Sequence, residues 1–497
     1  MAEDSRFSRR NLSVIILVVC VFIVMLYNLP GSRKPEKVET GPLILPEQAT
    51  QQQAAQQQES EQQAKPTPEL ESLEMIAKTK PKPHNINIES WHTANGARVM
   101  FVAAPEIPML DIRAVFNAGA ARDGELPGLA NLTSAMLTEG AGSADVDEIA
   151  RHFEGLGASI SSGSYRDMAL VSLRTLSDPQ YRTPALSMFY DIVAEPSFPP
   201  ASLERIRAQA LLSLKHEQQS PGALAQQAFF STLYDQQPYG SHPTGTEKSL
   251  QQIAEQDLNK FHKQYYVTSN MVVAIIGDIT KAEAENIASE LDKRLPSGEP
   301  APALPKPVKL TAGKREHNEF PSSQTHIMVG GVGIERGNPD HYALSLGNEI
   351  LGAGGFSSRL NKIIRQENGL AYSIYSHFSP MSVAGPFLVN MQTRNDQTQQ
   401  ALELVNKTLT EFMEKGPTEE ELADAKRHLL GSFPLRTASN RNIVDYLGMI
   451  GFYNLPLDYL EQYPDKIAAL TVQDVITAFK HHIDPEALLT VTVGQEQ

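Results

Sequence analysis

The chain has 497 residues and a mass of 54.6 kDa, and 41% of its residues are hydrophobic, so it is long enough to bury more than one core. Its formal net charge is -15 and its isoelectric point is near 5.4. Such a surface repels the phosphates of nucleic acids, which argues against a nucleic-acid partner.

An uncharged apolar segment, LSVIILVVCVFIVMLYNL, occupies residues 12–29. Its length approaches the roughly 20 residues that cross a bilayer as a helix, so we expect a transmembrane anchor here. The segment contains the single cysteine of the chain, Cys20, and the soluble part can therefore form no internal disulfide. Since no A-x-A-like site follows, the anchor is expected to stay uncleaved.

Basic residues flank the apolar segment equally on both sides and do not decide its orientation. They are Arg6, Arg9 and Arg10 before it and Arg33, Lys34 and Lys37 after it. A short tail, residues 1–11, followed by a large folded body favours a cytoplasmic tail. We therefore expect a single-pass protein of the inner (cytoplasmic) membrane whose body lies in the periplasm.

Residues 30–84 form a segment rich in glutamine and proline that includes the tract EQATQQQAAQQQESEQQAKP. Apolar residues are too few here to form a core, so the segment is expected to be a flexible linker. Its length would let the body reach a partner beyond the lipid headgroups.

Beyond this linker, strand-like and helix-like segments alternate, and the pattern occurs twice. Residues 255–278 are echoed by residues 472–495. Asp257 falls on Asp474 and Gly277 on Gly494, at the same offset of 217 residues. A repeat of this length indicates a duplicated domain and not a solenoid.

The duplication predicts two units, residues 85–293 and residues 311–497, joined by a proline-rich interdomain linker at residues 294–310. The predicted strands come partly as hairpin-like pairs. This favours an α+β fold, in which each unit has a mixed sheet with helices packed on one face, over a doubly wound sheet.

Two motifs carry a resemblance to a known family. The first unit contains GLANLTSAMLTEG at residues 128–140, and the second contains LGAGGFSSRLNKIIRQENGLAYSIYSHFSP at residues 351–380. With their order and spacing in duplicated units, they make the chain resemble the pitrilysin, or insulinase (M16), family of zinc peptidases. The similarity runs from about Ile86 to the C-terminus.

The resemblance implies a zinc site whose ligands are missing here. The family motif is H-x-x-E-H on a helix, in which two histidines one turn apart bind zinc and the glutamate activates water. The two histidine positions correspond to Asn131 and Ala135, the glutamate to Ser134, and a downstream glutamate ligand to Leu211. Alanine and leucine have no ligand atom, and neutral oxygen donors compete poorly with water for zinc. We therefore expect this chain to bind no zinc cofactor.

Scattered histidines leave a displaced metal site open as a less favoured alternative. His152 has Glu154 nearby but no second histidine, and His216 and Glu217 are adjacent. His481 and His482 are neighbours on a predicted helix, where consecutive residues point to different faces. Ordinary surface or hydrogen-bonded histidines are the favoured interpretation.

The second motif keeps another part of the family's machinery. Arg365 and Tyr372 lie seven positions apart in RQENGLAY, and in family members such a pair reaches over to the zinc site of an N-terminal unit. A guanidinium and a phenol can donate hydrogen bonds to the oxyanion that forms during hydrolysis. The alternative is a solvated helix arginine and a half-buried strand tyrosine that serves packing.

Two further segments near these motifs have ordinary interpretations. GAGGFSSR is rich in glycine but lacks the lysine of a phosphate-binding loop, so it is expected to be a turn or a substrate-facing loop. Residues 156–173 alternate like a strand and could accept a peptide by β-augmentation, as the family does. They could equally form an ordinary edge strand.

Three functions are consistent with the sequence. In the favoured one, the chain resembles the subunit without zinc in two-component bacterial members: it pairs with an H-x-x-E-H-bearing M16 subunit that holds the zinc. The heterodimer would enclose a peptide or unfolded polypeptide substrate, and Arg365 and Tyr372 would act in trans. The alternative is a proteolytically inactive scaffold or assembly protein. An active peptidase with an unrecognised metal site is the least favoured.

Overall fold

A computed structural model of the chain describes residues 86–496. The cytoplasmic tail, transmembrane anchor and flexible linker expected at residues 1–11, 12–29 and 30–84 lie outside this range. Between residues 86 and 496, no helix is both long enough and apolar enough to cross a bilayer.

The first half forms one six-stranded sheet with its helices. Its elements in chain order are β1 (Glu89–His92), β2 (Arg98–Ala103), β3 (Met109–Phe116), α1 (Leu129–Met136), β4 (Gly140–Ala141), β5 (Ala144–Asp145), α2 (Val146–Gly155), β6 (Ser159–Ser164), β7 (Ala169–Leu176), α3 (Pro179–Ala194), α4 (Pro200–Glu217), α5 (Pro221–Tyr234), α6 (Glu247–Gln252), α7 (Glu255–Tyr265), β8 (Met271–Gly277) and α8 (Lys281–Arg294). The strand order is β1-β2-β8-β3-β7-β6, and β4 and β5 pair separately.

The second half forms a five-stranded sheet. Its elements are β9 (Lys314–Glu319), β10 (Gln324–Val332), α9 (His341–Asn348), two π-helical segments (Glu349–Ala353 and Asn361–Glu367), β11 (Ile374–Phe378), β12 (Pro386–Arg394), α10 (Thr398–Lys415), α11 (Glu419–Arg436), α12 (Asn440–Phe452), α13 (Tyr459–Ala469), α14 (Val472–His482) and β13 (Leu489–Gly494). The strand order is β9-β13-β10-β12-β11.

The two sheets share one topology, which confirms the duplication. In the first, β2 runs parallel to β8, and β8, β3, β7 and β6 then follow in antiparallel pairs. In the second, β9 runs parallel to β13, and β13, β10, β12 and β11 repeat the same antiparallel series. Strand β1 is an addition at the edge of the first sheet.

The repeated sequence segments form the same elements in both halves. Helix α7 and strand β8 of the first half correspond to α14 and β13 of the second. Both helices begin with a carboxylate that accepts a backbone N–H: Asp257 from Ala254 at 2.8 Å and Asp474 from Thr471 at 2.8 Å. Such capping satisfies amide groups that the first helical turn leaves unpaired.

One face of each sheet packs against helices of its own half, as the sequence predicts. The opposite faces differ from the expectation, because each is covered by a helix from the other half. Helix α12 places Ile443, Val444, Leu447 and Ile450 against Met100, Val115 and Val272 of the first sheet. Helix α5 places Phe229, Phe230 and Leu233 against Met328, Leu489 and Val491 of the second.

Burial on both faces explains the composition of the central strands. All seven residues of β8, MVVAIIG, are buried, so the strand is a continuous apolar run without the alternation of a half-exposed strand. Glycine lets α12 approach this strand closely: a Cβ on Gly451 would lie 2.4 Å from Val272 Cγ1. The predicted interdomain linker, residues 294–310, begins at the last residue of α8 and ends before β9. The exchanged helices nevertheless join the two halves into a shared structure.

Candidate functional site

Helix α1, which carries the degenerate zinc motif, is fixed at its N-terminus by a buried carboxylate. The two oxygens of Asp123 accept the backbone N–H groups of Gly128 and Ala130, each at 2.7 Å. Burial raises the pKa of Asp123 to about 7, although these two hydrogen bonds act in the opposite direction. Gly128 precedes the helix with a φ of 91°, and a Cβ there would lie 2.8 Å from Gly245 Cα. Glycine is therefore needed at this turn.

The degenerate motif positions lie on α1 and α4, two helices that pack against each other. Asn131 and Ala135 lie one turn apart and are half-buried, whereas Ser134 is only 1% exposed. Leu211 on α4 is partly buried against the same core. Ala135 and Leu211 have no ligand atom, and the Ser134 hydroxyl has no hydrogen-bond partner among the described residues. These residues do not fit a zinc ion.

Strand β6 lies beside this helix and forms an edge of the first sheet. The Ser162 hydroxyl on β6 donates a hydrogen bond of 2.8 Å to the Ser134 carbonyl oxygen. Arg205 on α4 forms an ion pair with Glu139, just after α1. The edge strand and both helices of the degenerate motif are thus held in one arrangement. This strand lies within residues 156–173, the segment that could accept a peptide by β-augmentation.

His152 and Glu217, which were candidates for a displaced metal site, have ordinary surroundings. His152 Nε2 lies 3.0 Å from the carbonyl oxygen of Pro184. Glu217 pairs with His242, with 3.4 Å between Oε2 and Nε2. Within residues 86–496, neither His152 nor Glu217 belongs to a group of three ligating side chains.

The expectation for His481 and His482 is wrong. The two imidazoles do not diverge: their ring centres are 4.4 Å apart, and both contact Oδ2 of Asp340. They lie in the last turn of α14, where the helix ends and the side chains can turn toward the start of α9. Neighbouring residues at a helix end can therefore meet the same partner.

Arg365 and Tyr372 are adjacent in space and form an exposed cluster with Phe356, here called the Arg365 cluster. The guanidinium carbon of Arg365 lies 5.1 Å from the centre of the Tyr372 ring and 4.5 Å from that of Phe356. Tyr372 is 76% exposed and Phe356 is 67% exposed. Among the residues that the structure describes, no carboxylate forms an ion pair with Arg365. The cluster thus presents an uncompensated cation between two aromatic rings.

The local backbone explains how the Arg365 cluster is placed. Arg365 lies on the π-helical segment Asn361–Glu367, and such segments often mark functional positions in helical structures. Tyr372 lies in the loop before β11, not within a strand, and its exposure excludes the packing role considered above. Sequence reasoning missed Phe356, although a lone aromatic residue in the glycine- and serine-rich stretch GAGGFSSR was the available signal.

Comparison with known proteins identifies the family and the fold. Residues 98–247 match the family model described as insulinase (peptidase family M16), and residues 252–429 match the model described as peptidase M16 inactive domain. The solved structure of a peptidase M16 inactive domain from Pseudomonas fluorescens is 44% identical in sequence, with a TM-score of 0.81. The match covers 83% of this chain and 98% of that chain.

Two matches from Helicobacter pylori, one in sequence and one in structure, are more distant. The sequence match is a protein named non-peptidase homolog YmxG, which is 25% identical over 394 residues, or 79% of this chain and 90% of that protein. The structural match is described as a protease; it is 18% identical with a TM-score of 0.75 and covers 82% of this chain and all of that chain. At that identity the second likeness concerns the fold alone.

Proposed function

The chain belongs to the insulinase (M16) family of peptidases as an inactive homologue, and from this premise we propose that it is the non-catalytic subunit of a two-chain zinc peptidase. A partner chain with an intact H-x-x-E-H helix would hold the zinc ion. This chain would complete the peptide chamber and supply Arg365 and Tyr372 to the partner's site.

The Arg365 cluster is the observation that carries this proposal. An arginine that serves stability alone is commonly paired with a carboxylate, as Arg359 is with Glu421. Arg365 instead contacts two aromatic faces, which restrain the guanidinium plane without occupying its N–H groups. A donor restrained in this way is suited to an oxygen atom that arrives from outside the chain.

The chemistry assigned to this pair is hydrogen-bond donation. During peptide hydrolysis the scissile carbonyl oxygen gains negative charge as the carbonyl carbon becomes tetrahedral. A guanidinium N–H of Arg365 and the phenol O–H of Tyr372 would donate to that oxygen. Removal of one such donor typically costs roughly 10²–10³-fold in rate. The bond-breaking groups belong to the partner, since α1 offers none.

The free edge of β6 supports a role in holding the peptide. Its outer backbone groups face away from β7, and an extended peptide can pair with such an edge. The strand lies beside α1, where a catalytic family member would hold its metal. The peptide would thus be bound beside α1, the helix that carries the degenerate zinc motif.

Membrane anchoring is a further part of the proposal. The apolar segment at residues 12–29 would anchor the chain in the inner membrane, and residues 30–84 would tether the body on the periplasmic side. The support is the composition of these segments. A tethered subunit would keep an assembled peptidase close to the membrane.

The test is reconstitution with a partner that carries an intact zinc motif, such as one encoded beside this chain. Neither chain alone should cleave an unstructured peptide, whereas the mixture should. Arg365→Ala is expected to lower kcat about 100-fold, and Tyr372→Phe to lower it about tenfold or more. Arg315→Ala is the control, because Arg315 is exposed and, like Arg365, forms no ion pair within residues 86–496. Equal activity of all four mixtures would refute the role in trans.

A scaffold function is the second candidate, favoured by the loss of every zinc ligand from α1 and α4. In that case the chain would assemble with partners, but cleavage would not depend on Arg365. The same experiment separates the two functions if complex formation is measured in parallel by size-exclusion chromatography. A stable complex that cleaves peptide at the same rate with Arg365→Ala or Tyr372→Phe would support the scaffold function.

A further inference from the structure

A group of three metal-ligating side chains lies where α9 and α14 meet. His481 Nδ1 is 3.1 Å from Asp340 Oδ2, and His482 Nε2 is 2.8 Å from the same oxygen. The three ligand atoms lie within 4.8 Å of one another. Zinc sites are built from imidazole nitrogens and carboxylate oxygens about 2.0–2.2 Å from the ion. Small shifts of these side chains would therefore admit a cation between them.

The two helix ends account for this convergence. Asp340 immediately precedes α9, and the histidines end α14, which packs against α9. His481 uses Nδ1, the nitrogen nearer its backbone, and His482 uses Nε2, the farther one. This difference in reach lets two consecutive residues point their nitrogens at one place.

Asp340 is not used as an ordinary helix cap. An aspartate in the N-cap position usually accepts a backbone N–H of its own helix. The Asp340 side chain makes no such hydrogen bond and is turned toward the imidazoles. Its carboxylate therefore contacts the two imidazoles and does not cap α9.

Duplication supplies an internal comparison. The positions of the first half that correspond to His481 and His482 at the offset of 217 are Gln264 and Tyr265. Helix α7 ends there without either imidazole, so the repeated fold does not require histidines for packing. The ligand set is specific to the second half.

We propose that Asp340, His481 and His482 bind one divalent cation of borderline softness, with zinc as the preferred ion. Water completes its coordination on the open side, since the His481 side chain is 71% exposed while that of His482 is 8% exposed. The ion links the end of α14 to the start of α9 and stabilises the second half. This inference does not depend on the proposed peptidase function.

The test is a calorimetric zinc titration of the full, tag-free chain after its metal has been removed with a chelator. The wild-type chain is expected to bind one zinc ion and to show a higher melting temperature with zinc. Asp340→Asn and His481→Ala should each weaken binding about tenfold or more, since changing even an outer-shell partner of a ligand typically costs that much. His481 is exposed, so that variant should fold.

His428→Ala is the matched control, because His428 is exposed and contacts Glu349 at 2.7 Å but belongs to no group of three ligands in residues 86–496. It should bind zinc like the wild type. Absence of saturable binding by the wild-type chain would overturn the proposal. Unchanged affinity in a double variant, His481→Ala with His482→Ala, would also overturn it and place the metal elsewhere.

Discussion

Arg365 contacts the face of Phe356, with 4.5 Å between the guanidinium carbon and the ring centre. Both side chains come from the motif at residues 351–380, yet the sequence drew attention only to Arg365 and Tyr372. If Arg365 acts in trans as proposed, the contact makes Phe356 a positioning residue, which restrains the guanidinium without needing to touch a substrate.

Phe356→Ala should therefore weaken partner-dependent peptide cleavage less than Arg365→Ala does. A cation–π contact at an exposed site contributes about 0.5–1 kcal/mol, which corresponds to a two- to fivefold fall in kcat. Phe356→Tyr should restore the rate because it keeps the ring face. Steady-state kinetics of the mixed subunits would measure this. If Phe356→Tyr is as slow as Phe356→Ala, the ring face is not what matters.

Gly128→Ala should destabilise the first half, because the residue combines a φ of 91° with a contact to Gly245 that leaves no room for a Cβ. Gly96→Ala is the control: its φ is 97°, but nothing lies within 4 Å of the added Cβ. We expect a loss of about 1 kcal/mol for Gly96→Ala from the backbone alone and about 3 kcal/mol for Gly128→Ala. Urea denaturation would measure both. Equal losses would show that the contact with Gly245 relaxes freely.

Stability should fall in acid because of His262. Burial lowers its pKa to about 4, although a hydrogen bond to the Val193 carbonyl oxygen at 2.9 Å acts in the opposite direction. The unfolded chain takes up this proton near pH 6.5 and the folded chain only near pH 4, so folded stability declines as the pH falls through that interval. The group contributes about 3 kcal/mol above pH 6.5 that is lost by pH 4.

His262→Gln should flatten this part of the profile. The variant will be less stable at pH 7, but the free energy of unfolding should change less between pH 6.5 and 4 than in the wild type. His216→Gln, at an exposed position, should keep the wild-type slope. Urea titrations at several pH values provide the comparison. Parallel wild-type and His262→Gln profiles would contradict the assignment.

The lost zinc site should be restorable at α1. Asn131→His and Ala135→His would place two imidazoles one turn apart on a half-buried face, and Leu211→Glu would add a carboxylate from α4. In a background without His481 and His482, this triple variant should bind one zinc ion by calorimetry. Omitting Leu211→Glu should weaken binding about tenfold or more. Failure to bind would mean that the packing of α1 against α4 has itself diverged from a ligating geometry.

Local periodicity explains which features the sequence predicted. Helices α7 and α14 and strands β8 and β13 were recognisable because their apolar patterns and capping carboxylates recur at a fixed offset. The exchange of α5 and α12 was not predictable, because it depends on contacts between segments that are far apart in the chain. No local pattern shows which sheet a helix will cover.

For the candidate site, the sequence predicted residues on regular helices but not those at a helix end or in an irregular loop. Asn131, Ser134 and Ala135 lie on α1 and Leu211 lies on α4, and these two helices pack against each other; that the four positions form one former ligand set stays a prediction. His481 and His482 meet, against the prediction from the sequence, because consecutive residues at a helix end need not point to different faces. Phe356 was missed because an exposed ring in an irregular loop has no periodic neighbours to mark it.

Because α12 covers the first sheet, the burial of that sheet cannot be completed until most of the chain has been synthesised. The outer face of the first sheet, with Met100, Val115 and Val272, stays open until α12 has left the ribosome. At about 5–20 residues per second, the delay after β8 is on the order of ten seconds or more. During that time an apolar surface is available to chaperones and to other nascent chains. Truncations that end before Asn440 should therefore aggregate rather than yield a soluble first half.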